Sequence, residues 1–93
     1  MTEAKRVIIT VIGHDKVGII ARISGVCARN NINILDISQT ILQGFFTMVM
    51  VVDIAGSKVD IAELRAILNQ EGQEMELKIS VQHEDIFRFM HRI

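Results

Sequence analysis

Residues 7–12 read Val-Ile-Ile-Thr-Val-Ile, β-branched at every position and closed by Gly13. Side chains branched at Cβ favour extended backbone, and six residues are too few for a helix, so this run is a strand. It is also apolar on both faces, interrupted in polarity only by Thr10. Such a strand belongs at the centre of a sheet covered on both sides. The chain has only 93 residues, 49% of them apolar. A single domain of that size hides about 60% of its unfolded surface. The cover for the second face therefore has to come from a short tail or from a second molecule.

The remaining sequence sorts by period. From Val17, the residues Ile19, Ile20, Ile23, Val26 and Cys27 fall on one helical stripe with Arg22 and Arg29 opposite, and Asn30 and Asn31 close it. Residues 33–42 return to an extended pattern. Gln43 and Gly44 supply a tight turn and residues 46–54 a second β-rich run, which together make a hairpin. Ser57 and Asp60 have the spacing of a capping box, and Ile61, Leu64, Ile67 and Leu68 form a helical stripe that stops near Gly72. Met75, Leu77, Ile79 and Val81 alternate with Glu76, Lys78, Ser80 and Gln82, a strand with one wet face.

The order β-α-β-β-α-β with right-handed crossovers predicts one α+β domain over residues 1–93. It is a ferredoxin-like sandwich, four antiparallel strands in the order 4-1-3-2 with two helices on one face. Residues 84–93 place Ile86, Phe89, Met90 and Ile93 at helical spacing. That predicts a short C-terminal helix, packed on its own sheet face or across a dimer.

Composition removes several function classes. Ten basic against eleven acidic residues give a net charge of −1, and the aromatics are four Phe with no Trp or Tyr. Neither phosphate neutralisation nor base stacking on a sheet face is supported, so no nucleic-acid partner is expected. The lone Cys27 lies in an apolar stripe and excludes an internal disulfide or a Cys-x-x-Cys metal or redox site. His14, His83 and His91 lack metal-ligand spacing, and no serine sits in a nucleophile turn. The expectation is a non-enzyme without metal or cofactor. The polar start and the lack of any apolar run near 20 residues point to a cytoplasmic protein without a membrane partner.

The stretch Gly13-His14-Asp15-Lys16-Val17-Gly18 joins the first strand to the first helix. Ile19 and Ile20 stand where a phosphate-binding loop needs Lys and Ser/Thr, so it is not one. The backbone N–H groups of Val17, Gly18 and Ile19 at a helix start nonetheless suit an anion such as a carboxylate. Gly18 lets a ligand approach closely. Asp15 reads equally as the helix N-cap or as a ligand contact. His14 reads as a solvated loop residue or as a second contact. Asn33, at the start of the second strand, is either a turn residue or an amide reaching the same pocket.

Residues 7–20, Asn31-Ile32-Asn33-Ile34 and Asp36-Ile37-Ser38-Gln39-Thr40 together resemble an ACT domain, and specifically the stand-alone bacterial and archaeal ACT proteins. The resemblance spans Arg6 to about His83. It implies the βαββαβ fold and homodimers that hold an amino acid or similar small effector at their interface. It carries effector contacts to His14, Asp15, Val17, Gly18, Ile19 and Asn33, with no catalytic residue. Typical ACT domains are joined to a metabolic enzyme or DNA-binding domain. Here the partner would be a separate enzyme or regulator. The alternative is a ligand-free dimerisation module for such a partner.

Overall fold

The computed structural model describes residues 5–85. The chain runs β1 (Arg6–His14), α1 (Ile19–Arg29), β2 (Asn33–Leu42), β3 (Phe45–Asp53), α2 (Ile61–Met75) and β4 (Leu77–His83). The four strands form one antiparallel sheet in the order β2-β3-β1-β4, the order read from the sequence. The predicted C-terminal helix with Ile86, Phe89, Met90 and Ile93 lies outside the described residues.

The register explains why β1 had to be central. Ile9 faces Met50 on β3 and Val81 on β4, so the β-branched run is paired on both edges. Val7, Ile9 and Val11 point to the helices and pack with Ile23, Val26 and Cys27 of α1 and Leu64 and Leu68 of α2. Ile8 and Ile12 point to the opposite face. Gln43 and Gly44, both at positive φ, make the two-residue turn between β2 and β3. An irregularity at Leu35 shifts the β2 register between Ile34 and Asp36. Asp36, Ser38 and Thr40 nevertheless share the face away from the helices.

Three local expectations are corrected. The capping box is Asp60 with Glu63, whose backbone and side-chain groups exchange hydrogen bonds of 2.8 and 3.2 Å. Ser57 instead accepts from the Val59 N–H. Helix α2 does not stop near Gly72 but continues to Met75 and ends on Glu76, at φ 57°. Met75 is therefore helical, and the wet-faced strand begins at Leu77. Gly72 is in the helix because the sheet lies against it: a Cβ there would sit 2.8 Å from the Leu77 carbonyl oxygen.

The two sheet edges differ. On β4, the Arg65 guanidinium of α2 donates to the Val81 carbonyl oxygen at 2.9 and 3.2 Å, occupying an acceptor on the strand. On β2, ten residues long and exposed at nearly every position, no such cover is described.

Candidate functional site

Helix α1 starts at Ile19, two residues later than expected, and its N-cap is Gly18 in the left-handed region at φ 91°. No side chain caps it, neither Asp15 nor any other. The open donors of its first turn are thus the N–H groups of Ile19, Ile20 and Ala21 rather than those of Val17 and Gly18. Nothing lies within 4 Å of where a Gly18 Cβ would be. The space beside the helix start is a cavity of about 300 Å³ lined by Asp15, Lys16, Gly18, Ile19, Gln39, Ile41 and neighbours on α1 and β3.

The loop that forms this cavity is anchored on its far side. The Asp15 N–H donates to the Gly44 carbonyl at 2.8 Å, fixing it to the hairpin turn. The Lys16 ammonium donates to the Met75 carbonyl at the C-terminus of α2, a favourable place for a cation. Gly13 lies so close to β4 that a Cβ would meet Leu77 at 2.6 Å.

The sequence-derived site residues separate into three places. Asp15, Gly18 and Ile19 line the cavity, though Ile19 is buried and can offer only backbone. Val17 is fully exposed and does not line it. His14 ends β1 and stacks on Phe45, ring centroids 4.9 Å apart, at the outer end of the hairpin. Asn33 does not reach the pocket within one chain. It pairs with Asp53, which pairs with Arg6, so it sits at the opposite end of the sheet. The eight steps from Arg6 to His14 put about 26 Å between that end and the loop.

Asn33 borders a separate hollow of about 330 Å³ with Asn31, Asp53 and Gly56. There the Asp53 carboxylate accepts from the Ala55 and Lys5 N–H groups at 2.9 and 3.0 Å, which hold it below the usual carboxylate range.

Sequence reasoning missed Lys16, Gln39 and Ile41 as cavity residues. The signal was available: Asp36, Ser38 and Thr40 take one face of β2, so Gln39 and Ile41 take the other, and the 43–44 turn carries that end of β2 to the loop. A larger hollow, about 520 Å³, lies between Lys5, residues 54–61 and His83. Lys5, Lys58 and His83 line it together with Asp60, and the start of α2 there, unlike that of α1, already has a side-chain cap in Asp60. Among the described residues no group of three His, Cys, Asp or Glu could hold a metal, and no helix is long and apolar enough to cross a membrane. Burial pushes the Cys27 thiol up, away from a reactive thiolate.

Comparison with known proteins adds family to fold. A family model described as the ACT domain matches residues 5–82. The chain belongs to the ACT domain family. A UPF0237 protein of Methanocaldococcus jannaschii is 56% identical over 88 residues, covering 95% of this chain and 98% of that one. The solved ACT domain protein from Streptococcus pneumoniae superposes with a TM-score of 0.79 at 45% identity, covering 91% of this chain and 96% of that one. A putative glycine cleavage system transcriptional repressor has a TM-score of 0.75 at 24% identity. This chain covers 86% of its own length there but 46% of the repressor. That likeness concerns the fold alone. The ACT domains are generally a regulatory, ligand-binding kind, and at the start of α1 in this one uncapped backbone donors lie beside a hollow.

Proposed function

We propose that this ACT domain is a non-catalytic sensor, a homodimer that binds a small amino acid at its interface and reports it to a separate enzyme or regulator. The observation that carries this reading is the uncapped, left-handed Gly18 start of α1 beside the cavity bordered by Asp15. Three N–H groups and the helix dipole suit the effector carboxylate. The Asp15 carboxylate suits its ammonium, and the Lys16 charge is directed to Met75 instead.

A dimer resolves the position of Asn33. An exposed ten-residue edge strand is a template for a second strand, and among the described residues no side chain is laid over the β2 edge. If two copies pair β2 antiparallel over its full length, Asn33 of one strand comes opposite Leu42 of the other. Leu42 pairs with Phe45, next to His14 and the loop. That register brings the partner's Asn33 to the loop end of the sheet, which the chain's own Asn33 does not reach. Two equivalent sites result, each built from both copies.

Titration calorimetry of the full chain against the twenty amino acids tests the reading, with Asp15→Ala and Asn33→Ala as controls. Heat with one or a few amino acids, weakened in both variants, is the expected result. No heat with any of them removes the effector.

A further inference from the structure

The hollow of about 520 Å³ lies at the Arg6 end of the sheet and shares no residue with the cavity at the start of α1. Its size is that of a small-molecule site. The basic side chains of the chain single it out. Eight Lys and Arg fall among the described residues. Five of them are committed: Arg6, Arg22 and Arg29 pair with carboxylates, and Lys16 and Arg65 donate to backbone carbonyls. Lys78 stands apart on β4. The remaining two, Lys5 and Lys58, are 53 positions apart in sequence, have no ion pair among the described residues, and line this one hollow.

Both lysines are fixed at the backbone. The Lys5 N–H donates to the Asp53 carboxylate at 3.0 Å, and its carbonyl accepts from the Ile54 N–H at 2.9 Å. The Lys58 N–H donates to the Asn30 carbonyl at 2.9 Å. An anion arriving between them therefore meets two charges whose supports need no ordering. Two neutral donors stand beside them. Ser57 Oγ accepts from the Val59 N–H at 3.0 Å, which leaves its own O–H to donate. His83 Nδ1 accepts from the Asp85 N–H at 3.2 Å, which puts the ring hydrogen on Nε2. The opposing charges are Asp60 in the wall, with Oδ1 on the Glu63 N–H, and the Asp85 carboxylate, 3.3 Å from His83 Nδ1.

The rest of the wall is apolar and half-buried, formed by Ile54, Val59 and Ile61. It carries no Phe on which a nucleobase could stack. A carboxylate brings one charge to the two ammoniums, whereas a phosphate monoester brings about −1.5 to −2 at pH 7 and three acceptor oxygens. We propose that this hollow is a second binding site, for a soluble phosphate monoester with a compact aliphatic body. Lys5 and Lys58 hold the phosphate, Ser57 and His83 donate to it, and the body rests on Ile54, Val59 and Ile61. Because the two cavities share no residue, this site stands or falls independently of the effector site.

Amide NMR of the labelled full-length chain tests this with n-butyl phosphate, inorganic phosphate and butyrate as probes. Butyl phosphate should shift the Ser57, Lys58 and Val59 amides saturably and leave those of Gly18 to Ala21 unmoved. It should bind at least about threefold tighter than inorganic phosphate or butyrate. Lys5→Ala and Lys58→Ala should each weaken it at least about fivefold. Asp60→Asn, which keeps a capping side chain, should tighten it. The amide spectra themselves report that each variant is folded. Shifts that do not saturate, or that survive the two lysine changes combined, overturn the site. Equal or tighter binding of inorganic phosphate or butyrate overturns the ligand class. Sedimentation with phosphatidylcholine vesicles containing phosphatidate, without a saturable response to butyl phosphate, overturns it in favour of a membrane headgroup.

Discussion

Because the loop and Asn33 stand about 26 Å apart in one chain, a dimeric site makes a quantitative demand on mixed subunits. Asp15→Ala and Asn33→Ala each remove a hydrogen bond to a charged group of the effector, about 1.5–3 kcal/mol, or roughly 10- to 150-fold in Kd. Each variant alone should therefore bind weakly at both sites. In a mixed dimer one site receives both lesions and the other receives none, since an intact loop from the Asn33→Ala chain meets an intact Asn33 from the Asp15→Ala chain. Equal amounts refolded together give about half mixed dimers, so about one quarter of all sites should recover the unmodified affinity. Titration calorimetry with the best amino acid of the panel reads this as stoichiometry: a tight phase of about a quarter of a site per chain, absent from either variant alone. If co-refolded material shows no tight phase while gel filtration of tagged chains shows mixed dimers, Asp15 and Asn33 do not serve one shared site.

Two helical glycines should respond to alanine with opposite sign. At Gly25 a Cβ meets only the mobile end of Arg29, at 3.2 Å, so Gly25→Ala should stabilise the protein by up to about 1 kcal/mol. At Gly72 the Cβ meets backbone oxygen at 2.8 Å, and Gly72→Ala should destabilise by about 1–3 kcal/mol despite the same propensity gain. Urea unfolding checks both, and an equal response at the two sites would contradict the packing argument. Asp53, held below its ordinary value chiefly by the Ala55 N–H and then by the Lys5 N–H, stabilises the fold while ionised. That contribution is present above the usual carboxylate range and is lost as pH falls through the lowered value. Asp53→Asn should therefore lower the melting temperature at neutral pH, with the gap to the unmodified chain closing on acidification.

Where the sequence was legible, a two-sided pattern left one arrangement open. Residues 7–12 are apolar on both faces and could only be central, and residues 77–82 alternate strictly and could be an edge. The misplacements have a common cause, which is that the same residues satisfy two local rules and the path of the chain decides between them. Ser57 and Asp60 match a capping box, and so do Asp60 and Glu63; the helix starts where Ile61 first meets the sheet. Asp15 has the chemistry of an N-cap, but the loop is held to Gly44 and Met75, and the chain enters α1 through Gly18. Gly72 looks like a stop and is a contact. Asn33 lies at the end of the sheet opposite the loop because α1 carries the chain about 16 Å back before β2 begins. A helix returns its chain to the opposite end, and the amide follows.

The unequal edges give the proposed sensor both its closure and its output. Arg65 occupies an acceptor of β4, while β2 is exposed at nearly every position and has no such cover among the described residues. In the proposed dimer, two-fold pairing through β2 would consume the open edge of both copies and leave a β4 edge on each outside, so association would end at two rather than run on as a filament. The loop cannot yield toward β4, because Lys16 holds Met75 and Gly13 lies on Leu77. In that proposed dimer, an effector held by the loop and by the partner's Asn33 would tie the two chains across the β2 seam at both ends. Binding would shift the population toward the closed seam by the difference in affinity between its closed and loosened forms. A partner protein that reads the paired β2 strands would read the effector.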